Sequence, residues 1–105
     1  MPREKFKTMT EQMFYILLCL QKECYGMDIL DKVPQMTENR VRVGSGTLYN
    51  LLEQFLDEGY IRETKVEGRR RSYIITEKGN EFLRREYMRI SSQAKDYEKY
   101  IKEIK

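Results

Sequence analysis

The chain contains no histidine and no tryptophan among its 105 residues, and only two cysteines and two prolines. Histidine is the commonest general base, the central member of the Ser-His-Asp triad and a frequent zinc ligand. The sequence also shows no paired carboxylates in a recognisable site and no glycine-rich phosphate loop after a strand. We therefore expect no enzymatic activity, no metal site and no cofactor.

The two cysteines, Cys19 and Cys24, lie five residues apart in or beside an apolar helical run. Five residues turn a helix by about 500°, so the two side chains point apart and no disulfide is expected within one helix. Reduced thiols that pack as small apolar groups are typical of a cytosolic protein. The cysteines therefore predict a cytoplasmic location.

Long hydrophobic runs are also missing. The longest apolar run, Met13 to Leu20, has eight residues, whereas a membrane-spanning helix needs about 20. The N-terminal sequence MPREKFKT has no apolar stretch before a small-residue cleavage site, so no signal peptide is expected. With 40% hydrophobic and 35% charged residues, the chain has the composition and length of one soluble globular domain.

Hydrophobic periodicity predicts two short helices in the first third of the chain. Thr8 and Glu11 match a capping box, so the first helix is predicted to begin near Thr8. A second helix is predicted over residues 26–33, closed by Pro34 because the residue before a proline resists helical angles. Its expected core face consists of Met27, Ile29, Leu30 and Val33. Residues 35–43 are predicted to be an extended or loop-like polar segment.

A third helix and a hairpin follow. Ser45 is the predicted N-cap of the third helix, and Gly59 supplies its left-handed stop. Two strands are predicted over residues 60–66 and 71–76, around a turn at Glu67 and Gly68. The whole chain has a net charge of +3, and the segment from Arg62 to Tyr73 has five basic and two acidic residues, which also gives +3. The positive charge is therefore concentrated in the hairpin.

The last predicted helix begins after its cap, Thr76, and carries an unbroken heptad pattern. About 28 residues make a rod of roughly 42 Å, whereas a domain formed by the preceding residues would be only about 29 Å across. A helix folded back on its own core is one alternative, but an exposed seam of this length favours self-association. We predict that it dimerises through Leu83, Tyr87, Ile90, Ala94, Tyr97, Ile101 and Ile104.

Three helices followed by a hairpin form the element order of a winged helix-turn-helix, in which the third helix enters a DNA major groove and the hairpin follows the backbone. The predicted fold class is therefore mainly α with a small β-hairpin, plus a long C-terminal dimerisation helix. Polar helix starts and arginine runs are commonly just solvated surface. Their combination here favours contact with double-stranded DNA by Ser45, Thr47, Tyr49, Asn50, Arg69, Arg70 and Arg71.

The sequence resembles the PadR-like (phenolic acid regulator) family of transcription factors. GTLYNLL over residues 46–52 and EGYI over residues 58–61 are similar to the family signature GTLYxxLxxLxxEGLI. GRRRSYIITEKG over residues 68–79 resembles the wing motif GRPRKYYxLTxxG, and YGMDI over residues 25–29 resembles YGYEI. The single C-terminal helix is similar to that of the short subfamily, whose members dimerise through it.

The resemblance implies a homodimeric repressor of a palindromic operator, with Tyr25 added to the DNA-binding residues. It assigns residues 1–79 to the DNA-binding domain and 80–105 to the dimerisation helix. Some members of the family also bind a planar hydrophobic small molecule at the dimer centre, stacked on a tryptophan that this chain lacks; Tyr97 or Tyr100 could take its place. The alternative function is a winged-helix protein-interaction module that dimerises without binding DNA.

Overall fold

Three helices precede a β-hairpin, and a fourth, much longer helix follows it. The computed structural model describes residues 8–104. Within this part of the chain, no helix is both long enough and apolar enough to cross a membrane. The elements are α1 (Glu11–Cys19), β1 (Cys24–Tyr25), a 3₁₀ turn (Gly26–Asp28), α2 (Ile29–Met36), α3 (Ser45–Glu58), β2 (Ile61–Glu67), β3 (Arg70–Ile75) and α4 (Glu77–Ile104).

The strands form a three-stranded antiparallel sheet in the order β1-β3-β2. The hairpin agrees with the sequence prediction to within one residue at each strand end: the strands were predicted over 60–66 and 71–76, and the turn consists of Gly68 and Arg69. Gly68 has a φ of 62°, which a side chain would disfavour. The structure adds a strand that the sequence does not predict, because Cys24 and Tyr25 form β1 and pair with β3. Two residues are too few to show the alternation that identifies a strand.

The start of α1 differs from the prediction. Thr10, not Thr8, is the N-cap: its Oγ1 accepts a hydrogen bond from the Met13 backbone nitrogen at 3.2 Å. Starting the helix at Thr10 leaves Met9 in the segment before it, where its side chain is buried in the core. Either threonine could serve as a cap, and the burial of Met9 decides between them.

The predicted end of α2 at Pro34 is also wrong, because the helix continues through Pro34 to Met36. Its end is set by the buried Thr37, whose backbone nitrogen and Oγ1 both donate to the Val33 oxygen, at 3.2 and 2.8 Å. Met27 lies in the 3₁₀ turn and is exposed rather than part of the core face. The tighter winding of that turn moves the side chain away from the face shared by Ile29 and Val33.

The helix α3 follows its apolar pattern closely. Its buried residues are Leu48, Leu51, Leu52 and Phe55, and Gly59 ends it in the left-handed conformation at a φ of 78°. The N-cap, however, is Gly44, and Ser45 is the first helical residue. The segment before α3, residues 35–43, was predicted to be polar. Two of its residues, Val41 and Val43, are buried in the core.

A buried carboxylate joins the beginning of the described chain to α4. Glu86 is only 3% exposed and accepts a hydrogen bond from the Met9 backbone nitrogen at 2.6 Å. Two guanidinium nitrogens of Arg89 donate to the same carboxylate at 3.1 and 3.2 Å. Burial by itself raises the pKa of Glu86, but these hydrogen bonds outweigh it, so the net pKa lies below its usual value. Glu86 is therefore a paired charge that fixes the N-terminal segment on α4.

Gly79 in the first turn of α4 packs directly on the chain at Tyr60. A Cβ at this position would overlap the Tyr60 backbone oxygen and lie 2.8 Å from Cγ1 of Ile75. We expect Gly79→Ala to lower the free energy of unfolding by about 1–3 kcal/mol, because neither the Tyr60 backbone nor the Ile75 side chain can move away without disturbing the core. Urea denaturation measures the change.

Gly46→Ala is the matched control for this substitution. Gly46 lies in α3, and a Cβ there would meet nothing within 4 Å. Alanine should therefore raise the stability by up to about 1 kcal/mol through its helix propensity. Equal stability of Gly79→Ala and the wild type would contradict the close packing of α4 on Tyr60.

Candidate nucleic-acid interface

The N-terminal turns of α3 present an open polar surface. Ser45, Thr47, Tyr49 and Asn50, the four residues predicted there, are all exposed. The N-cap residue Gly44 makes no side-chain cap, and neither Gly44 nor Gly46 has any atom within 4 Å of the place a Cβ would occupy. The free N–H groups of this turn and the positive end of the helix dipole are thus accessible to an anion such as phosphate.

The three arginines of the wing occupy three different environments. Arg69 lies in the turn, while Arg70 and Arg71 are the first two residues of β3 and so point to opposite faces of the hairpin. The guanidinium carbon of Arg70 lies 5.2 Å from the centroid of the Tyr25 ring, within cation–π distance. The strand β1, which the sequence does not predict, therefore brings the Tyr25 ring next to one of the wing arginines.

Arg71 is partly neutralised by a carboxylate. Its Nη1 lies 3.4 Å from Oε2 of Glu63 on β2, and the Glu63 side chain is 31% exposed. Glu63 is not among the site residues predicted from the sequence. The alternation of charges along β2 gave no indication that this carboxylate, rather than Lys65 or Glu67, faces Arg71. A one-residue irregularity between Glu63 and Lys65 sets the register.

A groove of about 390 Å³ separates α3 from the wing and joins the two predicted parts of the interface. It combines aromatic, apolar and charged side chains: Tyr49, Leu52, Glu53, Leu56, Arg69, Arg71 and Tyr73. Burial raises the pKa of the Tyr49 hydroxyl, and the nearby Tyr25 adds to the shift. The Tyr49 hydroxyl can donate a hydrogen bond to a phosphate or to a base edge.

The predicted dimerisation residues lie along α4 and are buried, half-buried or exposed in the protomer. Leu83 is buried in the protomer's own core, so it does not belong to the exposed part of the seam. Ile101 is half-buried, and Ala94 is exposed. The exposed fractions of the large side chains are 57% for Tyr87, 42% for Ile90, 67% for Tyr97 and 78% for Ile104.

The N-terminal part of this seam borders a second groove, between α1 and α4. It has a volume of about 340 Å³, and its largely apolar lining includes Met9, Phe14, Tyr15, Tyr87 and Ile90. Among the described residues 8–104, no cluster of three or more histidine, cysteine or acidic side chains could hold a metal ion. The two notable surfaces are therefore the polar and basic face of α3 and the wing, and the apolar face of α4.

Comparison with known proteins gives a consistent family assignment. Residues 16–85 match the model of the transcriptional regulator PadR-like family, which is two thirds of the chain. A search of curated proteins gives no match. Among solved structures, a transcriptional regulator from Clostridium thermocellum has a TM-score of 0.72 and 22% identity, over 87% of this chain and 92% of its own.

Two further structures are similar. A PadR family transcriptional regulator from Eggerthella lenta has a TM-score of 0.73 and 18% identity, covering 85% of this chain and 80% of its own. A PadR-like transcription factor from Bacteroides fragilis has a TM-score of 0.61 and 28% identity, covering 89% and 88%. These likenesses confirm the winged-helix fold with its long C-terminal helix, and the family's members are DNA-binding regulators rather than enzymes. The chain belongs to the PadR-like family of transcriptional regulators.

Proposed function

We propose that this regulator is a homodimeric, cytoplasmic repressor that binds a palindromic operator. The observation that carries the proposal is the juxtaposition of the open N-terminus of α3 with a wing of three arginines across one groove. A recognition helix and a basic hairpin on the same face can contact a major groove and its flanking phosphates together. A seam of exposed apolar side chains on α4 supports the two-fold pairing that a palindrome requires.

The DNA-facing residues divide into two roles in this proposal. Asn50 and Tyr49, in the early turns of α3, contact base edges or adjacent phosphates. Ser45 and Thr47 accompany the helix N-terminus at a phosphate. The wing arginines Arg69, Arg70 and Arg71 neutralise the backbone, with Tyr25 supporting the guanidinium of Arg70. Acidic residues later in α3, such as Glu53 and Asp57, keep that end of the helix away from DNA.

We also propose a division of labour along the chain, with residues 1–79 binding DNA and residues 80–105 forming the dimer. The packing of α4 supports a transition near this boundary. Its buried residues are Gly79, Phe82, Leu83 and Glu86, and beyond them its large apolar side chains are exposed or half-buried. The first turns of α4 complete the core of the protomer, while the remainder is left for a second copy.

Selection of bound sites from random double-stranded DNA tests the proposal. We expect an enriched palindrome, confirmed by a gel shift on the DNA upstream of the chain's own gene and by a reporter that the protein represses. A protein-interaction module that dimerises without DNA would enrich no sequence and give no shift at moderate salt. That outcome would replace the proposed function with the alternative.

We infer that an effector, where the regulator has one, is a planar hydrophobic molecule bound between the subunits near α1 and Tyr97. The groove between α1 and α4 has the size of small-molecule sites, which start at about 300 Å³. The groove is lined by Phe14, Tyr15 and Tyr87, which can stack on a flat ligand for about 0.5–1.5 kcal/mol beyond the burial of area, whereas Tyr97 lies outside this lining. Titration with planar dyes should change tyrosine emission and operator affinity, and no change in either would exclude such an effector.

The ion pair between Glu63 and Arg71 predicts that the wing binds DNA below its full strength. Glu63→Gln removes the carboxylate charge and keeps the size, so Arg71 becomes free to contact a phosphate. We expect tighter binding to DNA of any sequence, and a slope of log affinity against log salt that is steeper by about 1 per subunit. Fluorescence anisotropy at several salt concentrations measures both.

Glu81→Gln is the control, because it removes the same charge from an exposed position on α4. It should leave the salt slope unchanged. If Glu63→Gln also leaves the slope unchanged, the ion pair with Glu63 does not keep Arg71 from a phosphate.

A further inference from the structure

The C-terminal end of α3 is attached to the first turn of α4 by a lysine. Nζ of Lys78 donates a hydrogen bond to the backbone oxygen of Glu58 at 2.7 Å. Glu58 is the last residue of α3, so this carbonyl has no partner within its own helix. The ammonium group also lies at the negative end of the helix dipole and 5.3 Å from the centroid of the buried Tyr60 ring.

Two neighbours of Lys78 make further contacts with the same short segment. Oγ1 of Thr76 donates to the Gly59 oxygen at 2.6 Å, and its backbone nitrogen donates to the Tyr60 oxygen at 2.9 Å. Gly79 lies so close to Tyr60 that a Cβ would overlap the Tyr60 oxygen. The Tyr60 and Phe82 rings pack at 4.9 Å between centroids. Residues 58–60 and 76–79 thus form a clamp between the two helices.

The clamp lies at the C-terminal end of α3, which is packed into the core through Leu48, Leu51 and Phe55, so α3 can only turn relative to α4 together with that core. The 14 residues of α3 span about 21 Å from the clamp to the N-terminal turn that faces DNA. A rotation of about 10° at the clamp would therefore move that turn by about 4 Å. This exceeds the 3.4 Å rise of one base pair. Small changes in the angle between α3 and α4 would consequently shift the register between two half-sites.

We propose that Lys78 is a positioning residue for operator recognition: by fixing the angle between α3 and α4, it sets the separation of the two recognition helices in the dimer. The inference rests on the proposed function, because the angle determines this separation only when two copies are joined through α4. Lys78 touches no DNA in this arrangement. Its effect should therefore be specific to paired half-sites.

The first experiment measures a distance between α3 and α4 within one chain, which reports the angle between the two helices and does not depend on DNA. Spin labels are attached at Asn50→Cys in α3 and Ser92→Cys in α4, and labelled chains are diluted with unlabelled chains before pulsed EPR. Burial raises the pKa of Cys19 to about 11 and also raises that of Cys24, so the introduced exposed thiols react first at neutral pH. We expect a narrow distance distribution, a broader one with Lys78→Met and restored width with Lys78→Arg.

The second experiment compares DNA containing the palindrome with DNA containing one half-site. Lys78→Met should weaken binding to the palindrome about fivefold, the low end of typical coupling between sites, and leave half-site binding unchanged. It should also tolerate half-site spacings that the wild type rejects. Lys95→Met, at an exposed position of α4 away from the heptad seam, removes the same charge and should behave like the wild type.

The outcomes separate the two proposals. A Lys78→Met chain with an unchanged distance distribution, or with equal losses on half-site and palindrome, overturns the positioning role. Wild-type protein that prefers no DNA sequence overturns the proposed function and, with it, any role of Lys78 in operator recognition. The EPR experiment would still report whether the clamp holds the angle.

Discussion

The double substitution Ile90→Asp and Ile101→Asp is expected to convert the proposed dimer to monomer or aggregate at micromolar concentration. Both residues lie on the heptad seam, where Ile90 is 42% exposed and Ile101 is half-buried in the protomer. Full burial of an aliphatic side chain contributes about 1.5–3 kcal/mol, and a two-fold interface contains each residue twice. Two aspartates would also bring like charges together in an apolar interface. Sedimentation equilibrium measures the dimer fraction.

The fold of the variant should survive, because neither isoleucine belongs to the buried core of the protomer. Circular dichroism checks this, and Ser92→Asp at an exposed position off the seam is the matched control. Loss of the dimer should also weaken operator binding strongly, since a monomer occupies only one half-site. A double variant that still sediments as a stable dimer with wild-type DNA affinity would contradict the dimerisation role of the seam.

The exposure along α4 refines which seam residues matter for the dimer. The heptad spacing predicted seven equivalent positions, but spacing alone cannot tell which turns of a helix the protomer itself covers. Leu83 is buried in the protomer's own core, while Tyr97 and Ile104 remain 67% and 78% exposed. Substitution of Leu83 would therefore destabilise the fold of each chain, whereas the later positions report on association.

The sequence predicted α3 and the hairpin well because their signals are local. Leucine and phenylalanine at helical spacing, and a glycine with positive φ at position 59, determine where α3 lies and where it ends. The predictions were wrong where contacts between residues far apart in the chain determine the local structure. Met9 is held against Glu86 of α4, which moves the cap of α1 to Thr10, and β1 exists only because β3 pairs with it.

The candidate site could likewise be predicted only where local sequence signals determine it. Exposure of Asn50 and the location of the arginines at the wing follow from the helix face and the hairpin turn. The contacts that distinguish the arginines from one another cannot be inferred from these local features. Arg70 lies over Tyr25 and Arg71 pairs with Glu63, and both relations depend on strand register across residues far apart in the chain.

The second large effect is expected from Asn50→Ala, which should weaken operator binding by about 1–3 kcal/mol and barely change binding to random DNA. Asn50 is exposed on the turn of α3 that we propose enters the major groove, and an asparagine amide can make two hydrogen bonds to an adenine edge. A base contact discriminates between sequences, whereas a phosphate contact does not. Two such helices in the dimer should lie about 34 Å apart, one turn of DNA.

Arg70→Ala is the matched comparison, since Arg70 belongs to the wing and should neutralise a phosphate. Its loss should weaken binding to all sequences alike and flatten the slope of log affinity against log salt by about 1. Tyr49 can make either kind of contact, to a base edge or to a phosphate. If its hydroxyl binds a phosphate, Tyr49→Phe will weaken binding to operator and random DNA together. Affinities for both DNAs, each at several salt concentrations, separate these roles. If Arg70→Ala relaxes specificity while Asn50→Ala leaves it intact, the wing reads the sequence and α3 positions the backbone, because only the group at a base edge can carry that discrimination.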